Sequence, residues 1–199
     1  MIQRLSKKLA NAWVESNVIP HEDAEIYEYG LQLIIATGIG IAIIIAFSLI
    51  CGIPAAWIFY IAAFIPLRTT AGGYHAKTQF SCIALFSITF SVFLVLILKF
   101  SVFTSYIYIV FCAIFSLALI FIFSPVQASN KPLTKKTATR NRIISLIIAT
   151  LFVIPAIAFV AIPNLNKRYI AEFYAGELSA TLSLVIVKIK NMQDEKSLI

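Results

Sequence analysis

The chain has 199 residues, of which 60% are hydrophobic and 13% charged, with a net charge of +7. Ordinary soluble domains carry about 25% charged residues, so this composition excludes a soluble globule and, with a mean hydropathy of +0.92, makes the bilayer the natural solvent. The cations flank apolar runs and form no basic patch interleaved with aromatics, which argues against nucleic acid as a partner.

Residues 2–14, "IQRLSKKLANAWV", place Ile2, Leu5, Leu9 and Trp13 at helical spacing, with Arg4, Lys7 and Lys8 on the other side. This pattern predicts a basic amphipathic helix lying on a membrane surface, within an interfacial segment 1–20. Pro20 suits a first helical turn, with Glu22 and Asp23 at the favourable end of the helix dipole. His21 reads as an interfacial side chain. The long apolar runs begin only near Leu31, behind Glu22, Asp23, Glu25 and Glu28, so no cleavable signal peptide is expected.

Six apolar stretches follow, at roughly 31–51, 54–67, 80–98, 102–124, 143–163 and 169–187. A spanning helix needs ~20 apolar residues, and most stretches qualify. The second, "PAAWIFYIAAFIPL", reaches only ~21 Å at the helical rise, which suits a short tilted span or half of a re-entrant hairpin. The expected fold is all-α: a polytopic membrane protein of about six transmembrane helices. It forms one membrane-embedded domain over 1–199, with a bundle at 31–187 and a cytoplasmic tail at 188–199.

The charges support this layout. With a cytoplasmic N-terminus, 13 of the 16 cations fall inside, and only Lys99, Lys167 and Arg168 fall outside. Cytoplasmic loops carry such an excess of Lys and Arg. Both termini and the loops at 68–79 and 125–142 are therefore expected at the cytoplasmic face. The spans hold almost no ionisable groups on this reading, which weighs against a transporter.

The stretch "RTTAGGYHAKTQFSC", Arg68 to Cys82, interrupts two apolar segments at that face. Gly72 and Gly73 suit a flexible or tightly turned connection, since each costs ~1 kcal/mol inside a helix. Thr78 or Ser81 would cap the helix that follows. A histidine can generate a nucleophilic thiolate from a nearby cysteine. His75 and Cys82 are seven residues apart, however, which is ~10.5 Å of rise on a continuous helix. A direct dyad therefore requires a broken helix, with His75 in the loop and Cys82 in the first turns beyond, where the helix N-terminus favours a thiolate. Cys51 and Cys112 read as small buried hydrophobes. Three cysteines so widely spaced make no disulfide framework. A zinc site needs three or four ligands, and nothing calls for a metal or other cofactor. Glu28 and Gln32 share one helix face where the first span begins, a depth expected to match the Arg68–Cys82 layer.

On these residues the chain resembles the accessory gene regulator protein B (AgrB) family. The resemblance is carried by Arg68, Gly72, Gly73, His75, Ala76 and Cys82, by "YGLQLI" (Tyr29 to Ile34), and by "SPVQASNKPLTKK" (Ser124 to Lys136). It implies a membrane cysteine endopeptidase of quorum sensing. Such an enzyme cuts an AgrD-type precursor peptide near its C-terminal tail, holds the peptide as a thioester, and releases it as a thiolactone or lactone ring. On this basis His75 and Cys82 are the catalytic pair. No carboxylate follows Cys82 to orient His75, so Gln32 is expected to orient it or hold the oxyanion, a role also open to Arg68. Lys131, Lys135, Lys136 and Arg140 would contact the acidic precursor tail or lipid headgroups. A homodimer is compatible with this picture. The alternatives are a non-catalytic peptide transporter or exporter, and a structural membrane subunit that leaves the His–Cys loop unexplained.

Overall fold

The computed structural model describes residues 2–73, 79–126, 134–162 and 166–196. Among them are eight α-helices: α1 (Ile2–Glu15), α2 (Ala24–Ile50), α3 (Ala56–Ala71), α4 (Gln79–Lys99), α5 (Tyr106–Phe123), α6 (Lys135–Leu151), α7 (Val153–Ala161) and α8 (Lys167–Lys196). Short 3-10 turns at His21–Asp23 and Ser101–Thr104 precede α2 and α5.

The expected all-α membrane fold is the one observed. Among the described residues, five helical stretches are long and apolar enough to cross a bilayer: His21–Ile50, Phe80–Lys99, Tyr106–Phe123, Lys135–Phe159 and Lys167–Lys190. α3 is the short one, as expected, with 16 residues. Bulky side chains such as Ile50, Ile107 and Ile122 point outward, while Ala63, Ala113, Ala149, Ala171 and Ala175 are buried between helices. Lipid is as apolar as leucine, so small residues that let backbones approach are what hold such a bundle together.

α8 is the hub, packed against α3, α4, α5 and α7. Its closest seam is with α3. A Cβ on Gly176 would run into the backbone carbonyl of Tyr60. Tyr60 is itself fully buried, and its hydroxyl lies 3.1 Å from Thr89 of α4.

The predicted stretch at 143–163 differs in detail. Its helix starts earlier, at Lys135, where the Thr134 hydroxyl accepts from the Thr137 amide. It breaks at Phe152, because Pro155 has no N–H to offer the carbonyl of Leu151. Tyr174 of α8 donates to the Phe152 carbonyl at this break (2.6 Å).

α1 forms where expected and packs along α2, but through Ser6 and Ala10. Leu5, Leu9 and Trp13 remain exposed. Leu5 and Leu9 therefore face away from the bundle, where lipid would cover them, while the Trp13 ring meets Tyr27 of α2 edge to face at 6.2 Å.

Candidate active site

Arg68 lies in the last turn of α3, as predicted. α3 stops at Ala71, and the backbone turns through Gly72 (φ 86°) and Gly73 (φ 146°). Both are left-handed conformations that favour glycine. Contacts add a second reason for glycine. A Cβ on Gly72 would strike the carbonyl oxygen of Val126, and one on Gly73 would strike the guanidinium of Arg68 and the hydroxyl of Ser183.

Helix resumes at Gln79, so the chain between Arg68 and Cys82 is not one continuous helix, as a dyad requires. Cys82 falls in the first turn of α4 and is exposed. His75 and Thr78 lie outside the described residues, as does Lys131. Ser81 lies within the first turn of α4 and so is not the cap residue.

The structure brings Arg68 and Cys82 into electrostatic reach of each other. It also supplies a partner that sequence reasoning missed. Arg68 Nη1 donates to Ser183 Oγ of α8 at 3.2 Å, and Ser183 in turn donates to the carbonyl of Ala180 (2.7 Å). The start of α4 adds the positive end of a helix dipole on the same side. A negative charge developing on Cys82 is therefore favoured by the Arg68 guanidinium within electrostatic reach and by the helix dipole of α4.

The ends of α3 and α5 and the later turns of α8 meet below Gly72. Ala71, Val126, Leu184 and Val187 pack as one cluster with Phe123. The Val126 amide donates to the carbonyl of Ala71 (3.0 Å), so the segment leading into the basic loop starts directly under Gly72. Lys135, Lys136 and Arg140 are exposed at the start of α6.

Gln32 is placed differently from Arg68. Its amide donates to Glu28 within α2 (3.1 Å), which bears out their shared face. The contact of α2 with α4 that lies beside Cys82 in sequence is made by Gly40, against Ile83 and Phe86. Cys112 is fully buried, and Cys51 is partly buried against the core.

One expectation fails. Glu172 and Glu177 lie inside α8 with no exposed surface, so the spans do hold ionisable groups. The weight this absence gave against a transporter falls with it. Both acids fall within the apolar stretch at 169–187, and Glu177 lies near its middle.

Comparison with known proteins agrees with the motif. The family model for accessory gene regulator B matches residues 2–188. A protein named as AgrB-like from Clostridium perfringens strain SM101 is 30% identical over 159 residues, covering 76% of this chain and 74% of its own length. One from Clostridium beijerinckii is 31% identical over 159 residues, with 77% and 76% covered. No solved structure matches the chain.

Proposed function

Because the chain belongs to the accessory gene regulator B family, we propose that it processes a quorum-sensing precursor peptide as a cysteine endopeptidase, with Cys82 as nucleophile and His75 as its base. The observation that carries this reading is the exposed Cys82 in the first turn of α4, within electrostatic reach of Arg68 and nine residues beyond the Gly72–Gly73 break.

His75 takes the Cys82 proton as the sulfur attacks the scissile carbonyl, then gives it to the leaving amine of the C-terminal tail. The peptide stays on Cys82 as a thioester. A cysteine or serine within the peptide attacks that carbonyl, closes the ring and frees the thiol. Water competes at this step. A site at the membrane surface that excludes it and holds the internal nucleophile close favours the ring. Arg68 stabilises the oxyanion, held in place by Ser183. Gln32 orients His75 or shares in holding the oxyanion.

The direct test is to incubate the purified protein with precursor peptide and quench with acid. A peptide adduct on Cys82 that hydroxylamine removes is the expected result, and no adduct at any time point would sink the thioester route. Arg68→Lys should lower kcat by roughly 10²-fold, the order seen for loss of an oxyanion donor, with KM little changed. Ser183→Ala should show a smaller loss in kcat. Equal losses in kcat and in folded protein would reduce both residues to packing.

The basic loop is assigned to the precursor tail. Lys135, Lys136 and Arg140, with Lys131 and Arg68, attract its acidic residues from the cytoplasmic side, over a Debye length of ~10 Å at 0.1 M salt. This requires both termini and the loops at 68–79 and 125–142 to be cytoplasmic, which reporters fused after Gly73 and Lys136 would check. In a correctly inserted protein, neutralising Lys135, Lys136 and Arg140 together should raise KM and leave kcat nearly unchanged. An unchanged KM would leave these cations as topology and lipid-binding signals only.

A further inference from the structure

Glu172 and Glu177 take no part in the site around Cys82. Neither has exposed surface, and none of their four carboxyl oxygens has a hydrogen-bond partner. Five residues apart on α8, they point about 140° from each other around the helix, so they face different seams. Glu172 lies within electrostatic reach of Tyr60 of α3 and Tyr108 of α5. Glu177 lies within reach of Cys112 of α5 and Tyr174 of its own helix.

Among the described residues, the other elements packed on α8 bring no cation to these seams. α7 has no titratable residue. Neither has the Ser101–Thr104 turn. α4 carries only Cys82 near its start and Lys99 at its end. Arg68 meets α8 at Ser183, about 9 Å along the helix beyond Glu177. At the start of α8, Lys167 and Arg168 are exposed, and Lys167 Nζ sits 5.9 Å from the centre of the Tyr106 ring.

Polar groups nevertheless line the seam. Tyr108, Cys112 and Ser116 recur every four residues along α5. Ser116 lies 3.3 Å from Thr181 of α8, which donates to the carbonyl of Glu177 (3.1 Å). The Ser116 and Thr181 hydroxyls are committed to each other or to backbone, the Tyr108 hydroxyl has no hydrogen-bond partner, and among the described residues no cation balances either acid. A carboxyl group so placed keeps its proton, because an unpaired ion inside a bundle is far costlier than a neutral acid.

We propose that Glu172 and Glu177 are two proton-binding sites in the membrane interior, each holding a proton while α8 is seated, and that loss of these protons loosens α8 from α3 and α5. The ligand is the proton. The two acids face different seams, which leaves no shared cavity for a metal ion. The inference does not depend on the reading of Cys82.

The test uses the full chain in a detergent without ester groups. At neutral pH, the infrared spectrum should contain a protonated-carboxyl C=O band that shifts in heavy water. The band should shrink in Glu172→Gln and in Glu177→Gln and vanish in the double variant. Glutamine mimics the neutral acid, so the double variant should fold. Between neutral and alkaline pH the wild type should lose about 5 °C or more of Tm beyond any loss in the double variant, which retains Tyr60, Tyr108, Tyr174 and Cys112. A band that is absent from the wild type, or that survives in the double variant, would overturn the proposal. So would parallel loss of Tm in the two proteins. A double variant that cannot fold would overturn it as well, since it would show that the charged form is needed.

Discussion

Replacing Cys82 with alanine is expected to abolish precursor cleavage in membranes, a loss of roughly 10⁴–10⁶-fold in kcat, while Cys51→Ala and Cys112→Ala keep the rate per folded molecule within about threefold. The three thiols differ in surroundings. Cys82 is exposed at the first turn of α4, within electrostatic reach of Arg68. Cys112 is fully buried in a cluster with Ile109, Ala156 and Tyr174, and Cys51 packs at the edge of the main core. Trimming Cys112 removes one buried atom and costs about 1 kcal/mol of packing, which lowers the amount of folded protein but not the chemistry. Cleavage by Cys82→Ala, or its loss in Cys51→Ala, would refute the assignment.

The second large effect concerns the seam of α3 with α8. Gly176→Ala should destabilise the bundle by about 1–3 kcal/mol, and Gly176→Leu should leave little monodisperse protein. The added Cβ would overlap the carbonyl oxygen of Tyr60, with the Tyr60 carbonyl carbon at 3.0 Å and its Cα at 3.1 Å. All three are main-chain atoms of a buried residue, so no side chain can swing aside. Gly38 is the control. It is also helical, but a Cβ there meets nothing within 4 Å. Gly38→Ala should be neutral or slightly stabilising, since alanine is the better helix former by about 1 kcal/mol. Thermal unfolding of the two alanine variants side by side decides the point, and equal behaviour would remove the close-approach argument.

The sequence revealed most where the signal is local. Apolar run length predicted the spans. The double glycine predicted the end of α3 and a break before Cys82. Helical spacing predicted α1, although not which face it packs. What stayed hidden depends on chain segments far apart. Ser183 is an ordinary serine in an apolar run until folding brings it to Arg68, 115 residues away. Glu172 and Glu177 stand inside the apolar stretch at 169–187, where run length alone does not tell a hydrated acid from a dry one. Only the packing of α3 and α5 around α8 shows that they are dry. Gly176 likewise carries no mark of its purpose, because the purpose is the backbone of Tyr60.

The place of α8 in the chain has a consequence for biogenesis. Ribosomes deliver helices in order from the N-terminus, so the hub of this bundle is made after the helices that surround it. While α8 is still being synthesised, the helices that will surround it have only lipid or one another as neighbours along their inner faces. Their small side chains leave grooves there, and the hydroxyls of Tyr60, Tyr108 and Ser116 have no α8 beside them. The bundle is thus completed in one late step, when α8 slots into a waiting gap. A nascent chain stopped before Lys167 has nearly all its membrane-crossing segments and none of the shared centre that would hold them in place.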